Sequence, residues 1–445
     1  MSTRLFAGCL LFVAMGAQAA APSSPRRVIV HFENDAMARH ARADSSRAFS
    51  TGSRRGVTHV RSLAAGGEVF ELEPGMTMES VAHGRGVVDV EEDIYMQALR
   101  VTDPLWKKQW SLHDAKVGMD VEVAWKRTKG EGTVVAVLDT GIVPHPDLDS
   151  QRLPGYDFIS EATDARDGDG RDADPADEGD WNEAGQCGAR SFIPSSWHGS
   201  HVAGIAVGRQ GNGQGIAGVA PEAKVLPVRV LGACGGATSD IADAIVWASG
   251  GKVKGVPLNP HRADVINLSL GSLSSCGRAF SRAISKARAN GSVVVVAAGN
   301  SSVNVNYASP ANCPGVVAVA ALGRKGDVAG YSNFGKGVTL SAPGGSNNGA
   351  KENNVVSSVD AGERGRERAG FSYYAGTSMA APHVAGLVAL MRAVDPAISV
   401  DAVMQQLMDN ARPLPGRCTG GCGAGLADAG ATVDAVSEDR SLRVR

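Results

Sequence analysis

The rhythm of apolar and polar positions changes near residue 100. Before it the patterns are short. Arg27-Val28-Ile29-Val30-His31-Phe32 alternates as a strand, and Glu33 to Phe49 has the spacing of a helix with a charged outer face. His59 to Leu72 reads as a hairpin around Gly66-Gly67, Met76 to His83 as a short helix and Val87 to Ala98 as a closing strand. The order β-α-β-β-α-β predicts a small α+β, ferredoxin-like sandwich within residues 20–100. After it come apolar runs without alternation: 133–138, 223–231, 264–270, 292–298, 316–322 and 338–342, with helical patterns at 238–248 and 278–290. Strands that are apolar on both sides and alternate with helices predict an α/β domain over 101–437, a doubly wound, mostly parallel sheet flanked by helices. Met379, Val384, Leu387, Val388, Leu390 and Met391 mark a buried helix, and helices at 400–410 and 427–436 close the domain. Trp106, Trp110 and Trp125 lie in an N-terminal arm. The charged, glycine-containing stretch 351–370 reads as a mobile surface loop, and 438–445 as a disordered tail.

Composition narrows the class. A chain of 445 residues has length for a large core and a smaller domain. A formal charge of -2 provides no basic field, which argues against a nucleic-acid partner. Residues 1–19 carry Arg4, an apolar run from Leu5 to Met15 and the small-x-small site Ala17-Gln18-Ala19, the three regions of a secretory signal peptide. The expected setting is therefore secreted, with no membrane span after signal removal. Cys9 leaves with the signal, and Cys187, Cys234, Cys276, Cys313, Cys418 and Cys422 remain, an even number that argues for disulfides in an exported chain. Pairing of neighbours along the chain is expected: Cys187 with Cys234, Cys276 with Cys313, Cys418 with Cys422.

Candidate chemistry centres on Gly376-Thr377-Ser378-Met379-Ala380-Ala381-Pro382-His383, where small residues crowd a serine at the start of the buried helix. Alone, this would be an ordinary N-cap. A nucleophilic serine needs a base and a group to orient it. The strand 133–138 delivers Asp139 to the carboxyl edge of the sheet, where Asp139-Thr140-Gly141 turns, and His198-Gly199-Ser200-His201 opens another small-residue helix.

Acid, histidine and serine in that order, with these flanks, resemble the subtilisin-like serine proteases (subtilases) from about Asp103 to Val436, including Gly218-Val219-Ala220-Pro221, Asn267-Leu268-Ser269-Leu270-Gly271 and Ala297-Ala298-Gly299-Asn300. The resemblance implies a triad of Asp139, His198 and Ser378, with the Asn300 amide and the Ser378 N–H as oxyanion donors. It implies that Ser269, Leu270 and Gly271 pair with an extended substrate, that Ala297, Ala298 and Gly299 form the facing wall, and that Ala308 lines the floor. Small residues without an acid there suggest an apolar S1 pocket. Residues 20–100 resemble the inhibitory, chaperone-like prosegment of the family, with self-cleavage expected between about Ala98 and Thr102. The expected partners are protein or peptide substrates and the chain's own prosegment, and the expected state is a monomer.

The loop Asp164 to Asp180 gathers hard oxygen ligands, which suits Ca²⁺; Asp167, Asp169, Asp172, Asp174 and Asp177 are the expected metal ligands. It is not an EF-hand, because Arg171 stands where an Asp or Asn is needed. No organic cofactor is expected. Three other classes fit less well. An aspartic protease needs a second Asp-Thr-Gly or Asp-Ser-Gly, which the sequence lacks. An α/β-hydrolase esterase needs a Gly-x-Ser-x-Gly elbow and another triad order. An inactive peptide-binding homologue would not need all of Asp139, His198, Ser378 and Asn300. His201 and His383 are read as packing residues inside their helices.

Overall fold

A computed structural model describes residues 27–49, 56–94 and 103–444. The signal segment, Cys9 and the cleavage region expected at 98–102 lie outside the described residues. The chain divides into two compact units, Met1–Leu99 and Arg100–Arg445.

In the first unit, strand β1 (Arg27–Phe32) is followed by helices α1 (Asp35–Ala43) and α2 (Ser45–Ala48), strands β2 (Val57–Ser62) and β3 (Glu68–Leu72), helix α3 (Met78–Ala82) and strand β4 (Val87–Glu92). The sheet runs β2-β3-β1-β4, with antiparallel pairs. Asn34 starts α1 by accepting from the Ala36 and Met37 N–H groups, so helix begins where the apolar alternation stops. The helix expected over Glu33 to Phe49 is broken at Asp44, the C-cap of α1. Val28, Val30, Phe70 and Val81 lie in the core between sheet and helices.

The second unit opens with the short helices α4 (Trp110–His113) and α5 (Val121–Ala124), then β5 (Val134–Asp139), β6 (Tyr156–Asp157), α6 (Ala162–Ala165) and α7 (His198–Val207). It continues through β7 (Lys224–Arg229), α8 (Thr238–Ala248), β8 (Val265–Leu268), β9 (Ser272–Leu273), α9 (Arg278–Ala289), β10 (Val293–Ala297) and β11 (Ala308–Ser309). The last elements are β12 (Val317–Leu322), β13 (Leu340–Pro343), β14 (Val355–Asp360), β15 (Ala369–Tyr374), α10 (Thr377–Val394), α11 (Val400–Asp409) and α12 (Ala429–Val444). A seven-stranded sheet runs β13-β12-β10-β8-β5-β7-β6, and all its pairs are parallel. Alternate residues of β5 feed two cores. Val135 and Val137 pack with Val202 of α7 and Val384 of α10, while Ala136 and Leu138 pack with Ile241 of α8 and Ile284 of α9. Both faces are covered, which is why the strands carry no polar alternation.

Two segments differ from expectation. The stretch 351–370, read as a mobile loop, contains β14, all six of whose residues are buried, paired antiparallel with β15. Its charges and glycines made it look like surface, but within it the Ser357 and Ser358 hydroxyls donate to the carbonyls of His201 and Ser200 in α7, at 2.7 and 2.9 Å. A hydroxyl satisfied by a helix carbonyl is buried at little cost. Residues 438–444, read as part of a disordered tail, continue α12 as helix to Val444. No Gly or Pro interrupts the segment, Asp439 accepts from Gln406 at 2.6 Å, and Arg440 donates to the Val394 carbonyl. Polar tethers hold it, so apolar spacing gave no signal.

Candidate active site

Asp139 is the last residue of β5, in register with Arg229 on β7, and it is fully buried. Its Oδ1 accepts the Thr140 N–H at 2.8 Å and lies 2.8 Å from His198 Nδ1. A carboxylate at Nδ1 keeps the proton there and leaves Nε2 as the basic nitrogen. His198 begins α7. Trp197 before it takes a left-handed turn at φ 51° and is anchored by its indole N–H to the Gly362 carbonyl at 2.7 Å. Burial pushes the His198 imidazole towards the neutral form, but Asp139, with Asp180 and Asp177 behind it, more than offsets this and holds its pKa above the usual histidine value.

Ser378 is the second residue of α10. Its hydroxyl donates to the Ser269 carbonyl at 3.1 Å, and among the described residues no hydrogen bond joins it to His198. Pro382, four residues on, has no N–H to give the Ser378 carbonyl, which accepts the Ser269 hydroxyl at 2.8 Å instead. The helix start is thus fastened to the segment 269–271 that follows β8. Asn300 follows the end of β10, and its Oδ1 accepts both the N–H and the hydroxyl of Thr377 at 2.9 Å. With the oxygen so engaged, Nδ2 faces away from Thr377. A Cβ placed on Gly376 would lie 3.4 Å from Asn300 Nδ2 and 3.6 Å from Ser378 N, so both nitrogens border the space beside this glycine.

All seven residues expected to bind substrate, Ser269, Leu270, Gly271, Ala297, Ala298, Gly299 and Ala308, line a single cavity of about 300 Å³ together with Asn300 and Ser378. Segment 269–271, expected to pair with an extended substrate, belongs to no strand itself; the ladder beside it is β9 with β11, which pairs Leu273 with Ala308. Disulfides join Cys187–Cys234, Cys276–Cys313 and Cys418–Cys422, and the second ties the segment after β9 to that after β11. A second cavity, of about 480 Å³, shares Leu270 and Gly271 and extends past His198 to Leu231, Ile241, Phe280 and Ile193.

Sequence reasoning missed that cavity, Thr377 and Asn333. The buried Asn333 side chain donates to the Ala298 carbonyl at 2.8 Å and accepts the N–H groups of Ser301 and Val303 at 3.1 Å, fixing the turn that carries Asn300. Gly299 has φ 102°, and a Cβ there would meet Asn333 Nδ2 at 2.4 Å, which was the one local signal. His201 stacks on Tyr374 with centroids 4.4 Å apart and lies 3.1 Å from the Ser372 carbonyl; His383 lies 2.7 Å from the Met379 carbonyl. Burial lowers their pKa values to about 3 and about 4, so both are neutral packing residues.

Of the five aspartates expected to hold a metal, Asp167, Asp169 and Asp172 form an acidic cluster with ligand atoms within 4.8 Å of one another. Burial and then the neighbouring carboxylates raise the Asp172 pKa, the electrostatic strain that a cation relieves. Asp167 also lies 2.7 Å from Arg229 Nη1. Asp174 and Asp177 are elsewhere: Asp174 accepts the Ala176 N–H at 3.1 Å, and Asp177, 1% exposed, accepts the Thr140 hydroxyl at 2.6 Å. Asp174 is used by its own turn and Asp177 by Thr140 at the end of β5, which spacing along the loop does not reveal.

The family model of the subtilases matches residues 130–429. Over 397 residues, 86% of this chain, the sequence is 48% identical to the extracellular protease of Xanthomonas campestris pv. campestris, and over 401 residues it is 41% identical to the extracellular basic protease of Dichelobacter nodosus. The chain spans 67% and 65% of the lengths of these relatives, about two thirds. A solved structure of proteases from Pseudoalteromonas arctica superposes with a TM-score of 0.75 at 48% identity, covering 76% of this chain and 99% of that one. The chain belongs to the subtilase family, peptidase family S8, whose members are serine proteases.

Proposed function

We propose that the chain is an extracellular endopeptidase that hydrolyses peptide bonds through Asp139, His198 and Ser378. The observation that carries this is the 2.8 Å contact of Asp139 with His198 Nδ1 at the carboxyl edge of the sheet, in a chain whose helix-start Ser378 lines one cavity with Asn300. His198 Nε2 removes the Ser378 proton as Oγ attacks the substrate carbonyl, then returns it to the leaving amine. Water enters by the same route to release the acyl group. The Ser378 N–H and Asn300 Nδ2 stabilise the oxyanion. The Ser378 hydroxyl turns from Ser269 to His198 as substrate binds, a tightening common at such sites.

The small walls of the cavity at Ser378 and the absence of acid there support apolar P1 side chains. The first unit is proposed to be a prosegment removed by self-cleavage, and extracellular action agrees with the names of the relatives. Ser378→Ala should leave only the residual rate of ~10³–10⁴ over water. Asn300→Ala should lower kcat by ~10²–10³ with KM little changed, the magnitude established for the corresponding subtilisin asparagine. Activity on casein that survives Ser378→Ala, or an enzyme that cleaves simple esters alone, overturns the reading.

The cluster of Asp167, Asp169 and Asp172 is proposed to hold Ca²⁺, the ion suited to several hard oxygens on an irregular loop. It would stabilise the loop and take no part in the chemistry. A ligand at a hundredfold excess over Kd adds ~2.7 kcal/mol to folding. Chelation should lower Tm in the wild type and not in an Asp169→Ala, Asp172→Ala variant; an unchanged chelator response in that variant rules the cluster out.

A further inference from the structure

Asp177 is buried behind the histidine and has no part in peptide hydrolysis as described above. Its Oδ1 accepts the Gly179 N–H at 2.9 Å and its Oδ2 the Thr140 hydroxyl at 2.6 Å. The Thr140 oxygen in turn accepts the Gly199 N–H, in the first turn of α7, at 2.9 Å, while the Thr140 N–H holds Asp139 Oδ1 at 2.8 Å. One residue therefore touches the carboxylate from its main chain and the histidine helix from its side chain, and Asp177 decides how that side chain is used. A threonine hydroxyl has one proton. Because it goes to Asp177, the oxygen presents only lone pairs to Gly199. Packing closes the same junction. A Cβ on Gly199 would meet the Gly141 carbonyl at 2.2 Å, and one on Gly141 would meet the Pro175 carbonyl at 2.6 Å and the Asp177 N at 2.8 Å. Strand end, acidic loop and helix start thus meet through bare backbone, with Asp177 at the centre.

We propose that Asp177 is a positioning residue for proton transfer: through the Thr140 hydroxyl it fixes the first turn of α7 against Asp139 and so sets the aim of His198. This rests on the triad reading of Asp139, His198 and Ser378. The acid also acts at a distance. The charged groups around His198 are Asp139, Asp177 and Asp180, with the neutral His201 one turn along, and Arg229 is the cation that faces Asp177. Each acid favours the imidazolium. Burial raises the Asp177 carboxyl itself to about 7, so this long-range effect fades in acid and the contact through Thr140 remains.

The test compares Asp177→Asn, Thr140→Val, their double variant and Thr140→Ser, as processed enzyme with active sites counted by a serine-reactive fluorophosphonate. Loss of aim costs up to ~10² in a transfer that tolerates little misplacement. The expected result is that order of loss in kcat per active site for Thr140→Val and Asp177→Asn, with KM changed by less than about twofold. The double variant should lose no more than the worse single variant, and Thr140→Ser should recover most of the rate. Normal kcat per counted site, with loss confined to Tm or to the number of active sites, would make Asp177 a purely structural residue and overturn the proposal. Additive losses in the double variant would overturn it too. Failure of the triad reading shows separately, as activity that persists in Ser378→Ala.

Discussion

His201 and His383 are held neutral inside α7 and α10, and the cost appears on acidification. Their pKa values in the fold, about 3 and about 4, lie below the ordinary 6.5. Between about pH 4 and 6.5 the unfolded chain takes up protons at these positions that the folded chain refuses. Stability from each is fully present above 6.5 and is lost as pH falls, by roughly 1.4 kcal/mol per unit once the unfolded histidine is charged. Asp157 and Asp177 work against this: burial raises both to about 7, so their contribution is lost as pH rises through the same window. The test is the difference between two proteins. In a Ser378→Ala background that prevents autolysis, adding His383→Gln should reduce the gain in unfolding free energy from pH 4 to 6.5 by about one proton's slope. Identical slopes in urea titrations refute a neutral His383. At this scale the sequence was most readable where chemistry is concentrated in a motif: Asp139, His198, Ser378 and Asn300 each stand in a run whose small neighbours and turn glycines are themselves informative. Thr377, Asn333 and Asp177 were not legible in role, because each works through a distant contact: Asn333 on Ser301 at 32 positions, Asp177 on Thr140 at 37 and Thr377 on Asn300 at 77.

Elements were legible when burial was apolar. Six of the seven strands of the large sheet and helix α8 fell where continuous and helical patterns put them; β6 had no such run, and β14, with two serines that α7 satisfies, lay in a stretch read as a charged loop. That contact depends on a residue with no side chain. A Cβ on Gly204 would lie 2.3 Å from Ser357 Oγ and 2.4 Å from Ser358 Oγ, so the strand can approach α7 only over a glycine. Gly204→Ala gains helix propensity, by under ~1 kcal/mol, but must displace two buried hydroxyls from their carbonyls. Overpacking of this kind costs ~1–3 kcal/mol, so Tm should fall despite the better helix former. Combining Gly204→Ala with Ser357→Ala and Ser358→Ala makes room and removes the hydroxyls together, and should recover part of the loss. A Gly204→Ala protein that melts at or above the wild-type temperature would show that the contact is loose.

Over the whole molecule, the two units differ in how they can fold. The first is antiparallel, with its central pairings between β1, β3 and β4 and between β2 and β3 inside fewer than 70 residues, and it has its own core around Val28, Phe70 and Val81. The second pairs β5 with β8 across some 130 positions, as Val135 with Val265, and depends on α10, nearer the end of the chain, to cover β8 and β10. Parallel pairing of distant strands is slow, because loop closure precedes the contacts that reward it. The order of these two units was readable in the change of rhythm near residue 100. If residues 20–99 are template and temporary inhibitor, three results follow. Ser378→Ala should be exported with that segment still attached, since the chain would cut itself. A chain expressed from Val101 should be secreted poorly or inactive. The same chain should regain activity when the segment is supplied separately. Should the truncated chain reach full activity at the normal rate unaided, its parallel sheet needs no template, and the first unit must serve another purpose.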